Sequence, residues 1–288
     1  MLSGRPHICL QCLAALLLLP LSICLAGDGG DSLRVAGCRG VNQDSLRLVS
    51  QTDEYLEAIG RLPIPRACAE LDFMLGSVQS DSIRNMVATR AYRFFRASKV
   101  MGSENVSVYI YDKWFATFKA VFPDIDELDD AEFYAFVNRQ SLIGCKAPEL
   151  TVNTLDGEEI TLPSKGRISI IYFYSTECPK CLYTSLKLKE YLNSHSVDLD
   201  LFTVYTGSEL QRAQEYTVRE LNVSNTCKTM VYHTDGGDTD YPVKYGVVQT
   251  PRLFLVLGDG TVVGRNLDVD ALSALLESIV DNCVEKFS

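Results

Sequence analysis

The sequence is short of positive charge. Its 288 residues hold 27 Lys and Arg against 37 Asp and Glu, a formal net charge of −10. An acidic surface repels phosphate backbones, which argues against nucleic-acid binding as a main role. The chain also lacks a glycine-rich phosphate loop and a dinucleotide fingerprint. Histidine is scarce, with three in all, and His195 and His233 stand alone and read as surface residues. No second cysteine pair accompanies Cys178-Pro179-Lys180-Cys181, and a structural zinc site needs four ligands, so no metal is expected. Asp235-Gly236-Gly237-Asp238 reads as an acidic solvated loop rather than a cation site. The apolar run Leu10–Leu25 is a little short for a membrane span and contains Gln11 and Pro20.

What is present is an ordinary globular composition, 47% apolar and 22% charged, in a chain long enough for one or two domains. Residues 1–26 read as a signal peptide, with Arg5 ahead of the run and Ala26-Gly27 behind it. A second reading is a lipoprotein signal, because Leu21-Ser22-Ile23-Cys24 would make Cys24 the lipidated residue. Ile23 matches that pattern poorly. Either reading puts the mature chain outside the cytoplasm, in a periplasm or lipid-anchored to a bacterial membrane.

Residues 27–41, rich in Gly and Asp, read as a tether. From 42 to 141 the pattern is helical. Pro63 and Pro65 end a first helix, Ile83, Met86, Val87, Ala91, Tyr92 and Phe95 make one apolar stripe, and Trp114, Phe115, Phe118 and Val121 repeat it. Phe133, Tyr134 and Val137 close the segment, and its aromatics are expected in the core.

The character changes at Gly144. Leu150–Val152 and Ile160–Leu162 flank Asp156-Gly157 as a β-hairpin. Ile168–Tyr174 is a nearly unbroken β-branched and aromatic run, the mark of a strand buried on both faces. A helix from Cys178, a strand over Val197–Tyr205, a helix capped by Ser208, the strand Leu253–Leu257 with its partner after Gly258-Asp259-Gly260, and a terminal helix follow. The order predicts an α/β fold, a central mixed sheet flanked by helices over 144–286, preceded by the all-α segment.

The chemistry concentrates in the C-x-x-C at the junction of buried strand and helix. A helix N-terminus carries unpaired N–H groups and partial positive charge, which stabilise a thiolate. Cys178 is therefore the expected nucleophile and Cys181 the expected resolving thiol. Pro179 suits the first helical turn. Lys180 should favour the thiolate and Glu177 should oppose it, an electrostatic tuning whose balance the sequence leaves open. Thr250-Pro251 enters an apolar strand, where a cis proline could sit opposite the dithiol and offer its preceding backbone to a substrate.

These pieces, with Gly144-x-x-Ala147-Pro148, Asp156-Gly157 and Gly258-Asp259-Gly260, resemble the thioredoxin-like superfamily and within it the extracytoplasmic TlpA/ResA and AhpC/TSA-like group. The helical part is similar to N-terminal extensions of secreted thioredoxin-like proteins in Bacteroidetes. The resemblance implies thiol–disulfide oxidoreductase activity with no diffusible cofactor, protein disulfides as substrates and a redox partner that recycles the pair. It implies Cys178 as nucleophile, Cys181 as resolving thiol, Pro251 as the cis proline and Thr250 as the residue whose backbone meets the substrate. Departures are also present. Glu177 replaces the usual tryptophan, Tyr172 stands where thioredoxin has a buried aspartate, and Thr184 stands where some TlpA-like reductases have a glutamate. A redox-sensing or partner-binding module and a peroxide reductase are the alternatives. Besides the pair, Cys38, Cys68, Cys145, Cys227 and Cys283 would remain after signal removal, with Cys38–Cys68 and Cys227–Cys283 as candidate bridges.

Overall fold

The computed structural model describes residues 43–285 except 196, 225, 227 and 238. The signal, the tether, Cys24, Cys38, Cys227, Asp238 and the side chain of Cys283 lie outside the described residues, and with them both candidate bridges. Among the described cysteines Cys68, Cys145, Cys178 and Cys181 are free thiols. The chain divides into two compact units, 1–127 and 128–288. The division falls before the expected 141–144 boundary because the Asn138–Ser141 stretch is tied to Arg265 of the second unit. The Arg265 guanidinium donates to the Ser141 carbonyl at 3.0 Å and its hydroxyl at 2.8 Å.

The first unit is helical. Helix α1 spans Gln43–Ile59, α2 Ile64–Ser77, α3 Asp81–Ala97 and α4 Ser103–Ile110. Pro63 and Pro65 open α2 as much as they end α1: Pro63 is its N-cap, and a first-turn proline costs no hydrogen bond. Ser80 caps α3, accepting from the Ile83 N–H at 3.5 Å. The α3 stripe is buried through Val87, Ala91, Tyr92 and Phe95. Tyr92 meets Phe122 edge to face with centroids 5.3 Å apart, and Phe122 stacks on Phe115 at 3.7 Å.

The second aromatic stripe breaks where the sequence reading continued it. Trp114 and Phe115 are buried, but Phe118 is 85% exposed and Val121 55%. The cause is a π turn over Tyr111–Phe115 followed by Phe118 at φ 58°. A π turn adds a residue to the helical repeat and rotates the following side chains off the buried face. Phe133 of α5 (Ile125–Asn138), a helix that lies almost wholly in the second unit, is likewise exposed. Among the described residues no helix is long and apolar enough to cross a membrane.

The second unit is built on a seven-stranded sheet. In chain order the strands are β1 Leu150–Thr154, β2 Glu159–Leu162, β3 Ile168–Tyr174, β4 Leu199–Tyr205, β5 Thr229–Asp235, β6 Arg252–Val256 and β7 Val262–Gly264. In space they run β2-β1-β5-β4-β3-β6-β7, with β3, β4 and β5 parallel and β6 antiparallel to β3. The helices are α6 Pro179–Ser194, α7 Leu210–Glu220, the short α8 Tyr241–Lys244 and α9 Val269–Glu285. Glu209, not Ser208, takes the N-cap position of α7.

Alternation along the central strands sorts the core into two layers. Ile170, Tyr172, Tyr174, Leu201, Leu253 and Leu255 pack with Leu188 of α6, Ala213 of α7 and Leu272 of α9. Ile171, Phe173, Phe202, Phe254 and Val256 face the other way, toward Tyr245 and Val247. Both faces are thus covered, which explains the unbroken apolar run of β3.

Candidate active site

The topology brings two distant segments to one end of the sheet's interior strands. β3 ends at Tyr174 and runs straight into the dithiol. β6 is antiparallel to β3, with Phe173 opposite Arg252, so the residues just ahead of β6 lie beside those just after β3. Those residues are Thr250 and Pro251, and the peptide bond between them is cis. The Cys178 thiol donates to the Thr250 carbonyl oxygen at 3.5 Å.

Cys178 is the N-cap of α6, with extended backbone at φ −97° and ψ 109°. Its sulfur accepts from the Cys181 N–H at 3.2 Å, which turns one orphan donor of the first turn onto the reactive atom. Pro179 follows in the first turn, where no donor is lost. Cys178 is half-buried and Cys181 fully buried, while Pro179 and Lys180 are exposed. One sulfur is therefore accessible and the other held behind it.

The two thiols are driven apart. Burial pushes Cys178 upward, but the Cys181 thiol and N–H, the Thr250 side chain and the Lys180 N–H all favour its thiolate, and the net direction is down from the ordinary 9.0. Burial first, and the hydrogen bond with Cys178 second, push Cys181 up to about 11. The accessible sulfur is thus the more readily ionised of the two, and the buried one is the more firmly held as a thiol.

The expected tuning residues act differently from their formal charges. Glu177 is exposed, and its carboxylate accepts from Arg212 Nη1 of α7 at 2.8 Å, so the opposing charge is already paired. Lys180 acts on Cys178 through its backbone N–H. Arg212 was not legible as a site residue, because it stands 35 positions from its partner.

A second feature missed from sequence lies beneath the pair. The Tyr172 hydroxyl donates to the Cys181 carbonyl at 2.9 Å and lies 3.1 Å from Ser185 Oγ, which is 2.9 Å from the Tyr216 hydroxyl. A carbonyl only accepts, so the Tyr172 proton is committed to Cys181. Ser185 must then donate to Tyr172, and Tyr216 to Ser185. The chain runs one way, Tyr216 to Ser185 to Tyr172 to Cys181. Burial pushes the Tyr172 hydroxyl far above the ordinary phenol value, so it stays neutral. Tyr174 stacks on Tyr172 at 5.6 Å and on Tyr216 at 5.2 Å. The clue in the sequence is Tyr172 and Tyr174 two apart on a strand, hence on one face.

Exposed apolar side chains surround the accessible sulfur in the chain: Leu182 and Tyr183 follow Cys181 on α6, and Val248 precedes Thr250 by two residues. His233 is half-buried on β5 rather than at the surface; it lies 2.8 Å from Thr203 Oγ1, and burial lowers its pKa. Among the described residues no cluster of His, Cys, Asp and Glu could hold a metal.

No protein-family model and no curated protein matches the chain. Solved structures do. A thioredoxin-like protein from Bacteroides caccae superposes with a TM-score of 0.59 at 15% identity, over 82% of this chain and 85% of that one. The thioredoxin domain of a thiol-disulfide oxidoreductase from Bacteroides vulgatus has a TM-score of 0.41 at 21% identity, over 48% of this chain and 97% of its own. StoA from Bacillus subtilis has 0.36 at 19%, over 42% and 89%. The first of these establishes the architecture.

Proposed function

From a thioredoxin-like fold with a cysteine pair at the head of α6, we propose that this chain is an extracytoplasmic thiol–disulfide oxidoreductase that reduces or exchanges disulfides in proteins. The single observation that carries the reading is the Cys178 sulfur held between the α6 N-terminus and the Thr250 carbonyl, with Cys181 buried behind it.

The Cys178 thiolate attacks one sulfur of a substrate disulfide. A Cys178–substrate bond forms, the substrate bond breaks, and the departing sulfur takes a proton. Cys181 then loses its proton and attacks Cys178. The Cys178–Cys181 disulfide forms and the substrate leaves as a dithiol, two electrons richer. A reduced partner dithiol must return those electrons before the next cycle. An extended substrate would run past Thr250-Pro251 and present its backbone there, as in strand addition, while Leu182, Tyr183 and Val248 supply apolar contact. The signal-like residues 1–26, with or without lipid on Cys24, support a location outside the cytoplasm, periplasmic or lipid-anchored.

The test is a Cys181→Ser variant, which halts the cycle at the mixed disulfide. Insulin-disulfide reduction by the wild type, together with covalent protein adducts on Cys178 in the variant, is the expected result. Absence of both would overturn the proposal. Peroxide consumption without disulfide turnover would instead favour a peroxide reductase.

A further inference from the structure

Three hydroxyls lie in the core beneath the dithiol, on Tyr172 of β3, Ser185 of α6 and Tyr216 of α7. Ser185 is fully buried, and the other inward residues of α6 are Cys181, Leu188 and Leu192. Alanine would fill such a position with no polar atom to satisfy. Helix α7 reaches the active-site segment twice. Arg212 holds Glu177, just ahead of Cys178, at 2.8 Å. Tyr216, one turn further along the same face of α7, holds Ser185, one turn past Cys181, at 2.9 Å.

The file of hydrogen bonds has a direction. Each hydroxyl proton, from Tyr216 through Ser185 to Tyr172, lies on the side toward Cys181. The three O–H dipoles therefore align with their positive ends toward Cys181, and aligned bonds polarise one another. Burial raises the Tyr172 hydroxyl far above the ordinary phenol value and Tyr216 to about 12, so both stay neutral and neither serves as a base. Both phenols also lie in the field of the two sulfurs, which opposes their ionisation further. What the file offers Cys181 is a fixed dipole, not a proton acceptor.

Resolution of the mixed disulfide is the step in which charge develops at Cys181. Its thiol gives a proton to water, and the thiolate attacks the Cys178 sulfur. The Cys178–Cys181 bond forms as the Cys178–substrate bond breaks, and the departing substrate sulfur takes up a proton. Burial makes that thiolate costly. Dipoles already oriented toward developing charge lower such a cost without reorganising. We propose that Ser185 and Tyr216 are positioning residues for this second step: through Tyr172 they aim a file of hydroxyl dipoles at Cys181 and favour the thiolate that resolves the mixed disulfide. The inference rests on the thiol–disulfide reading of the site.

The test separates the two steps with dithiobis(nitrobenzoate), added at less than one equivalent to the reduced full chain. Attack by Cys178 releases one coloured thionitrobenzoate, and resolution by Cys181 releases the second. Cys178→Ser should abolish both phases and Cys181→Ser the second alone. Tyr216→Phe and Ser185→Ala should leave the first phase within about twofold. They should slow the second about three- to tenfold at neutral pH and move its pH midpoint upward. A Cys181-dependent second phase unchanged in both variants would overturn the inference and leave the exchange reading standing, and so would equal slowing of both phases. A wild type with no second phase that depends on Cys181 would overturn that reading and this inference together. If circular dichroism shows that Ser185→Ala does not fold, Tyr216→Phe, which loses a single oxygen, decides.

Discussion

The hydroxyl of Tyr172 donates to the carbonyl of Cys181 at 2.9 Å, and so ties the buried strand β3 to the first turn of α6. Tyr172 is a neutral donor whose proton is already committed. Removing it leaves the Cys181 carbonyl and Ser185 hydroxyl short of a partner in a buried site. Tyr172→Phe should therefore lower unfolding stability by about 1–3 kcal/mol, read from urea denaturation. In the proposed cycle the hydroxyl accepts no proton from Cys181, so disulfide exchange at neutral pH should fall only several-fold in the folded variant.

The two thiols should titrate far apart. Alkylation of Cys178 by iodoacetamide should reach half its maximal rate at a pH below 9, while Cys181 in a Cys178→Ser variant should stay protected from alkylation through that range. The same directions set opposite stability trends. The Cys178 pKa is lower in the folded protein, so its contribution is complete above the unfolded thiol value of about 8.5 and is lost as pH falls through the folded value. The Cys181 pKa is higher in the folded protein, so its contribution is complete below the unfolded thiol value of about 8.5 and is lost as pH rises from there through about 11. Equal alkylation rates for the two cysteines at pH 8 would contradict both assignments.

Gly246 should not tolerate a side chain. It lies at φ +65°, and a Cβ there would sit 2.4 Å from Asn138 Oδ1 and 2.8 Å from Arg265 Nη2. Those are the groups through which Arg265, 3% exposed, grips the end of α5. Gly246→Ala should cost at least about 1–2 kcal/mol from backbone strain alone. Urea midpoints of variant and wild type check it.

Much of this organisation was legible. Ile168–Tyr174 read as a two-sided buried strand because its residues are apolar at both parities, and the cysteine pair after it fell on a helix start through Pro179. The α3 stripe held because the helix is regular. The reading lost Phe118 and Val121 at the π turn, since a one-residue change of repeat has no signature in an apolar pattern. It missed β5, whose Tyr232-His233-Thr234 carries polar groups into a strand paired on both sides. It could not assemble the Tyr216–Ser185–Tyr172 chain, because α7, α6 and β3 meet only through the sheet topology. It named Glu177 and Lys180 as tuning residues by charge alone, without Arg212 and without the backbone N–H.

That last difference yields the sharpest test of what sets the Cys178 thiol. If formal charges governed it, Glu177→Gln should lower the Cys178 pKa and Lys180→Gln should raise it by comparable amounts. The geometry argues otherwise. Glu177 and Arg212 have side chains 76% and 51% exposed and already pair at 2.8 Å, so water and salt screen both. Lys180 acts through its N–H, which Lys180→Gln retains. Each substitution should move the Cys178 pKa by less than about half a pH unit, measured by thiolate absorbance near 240 nm. Cys181→Ala removes a hydrogen bond made directly to the sulfur, and should move the Cys178 pKa upward by more than either charge variant. The reverse ranking would mean that the side-chain charges, and not the donors of the first turn, hold the thiolate.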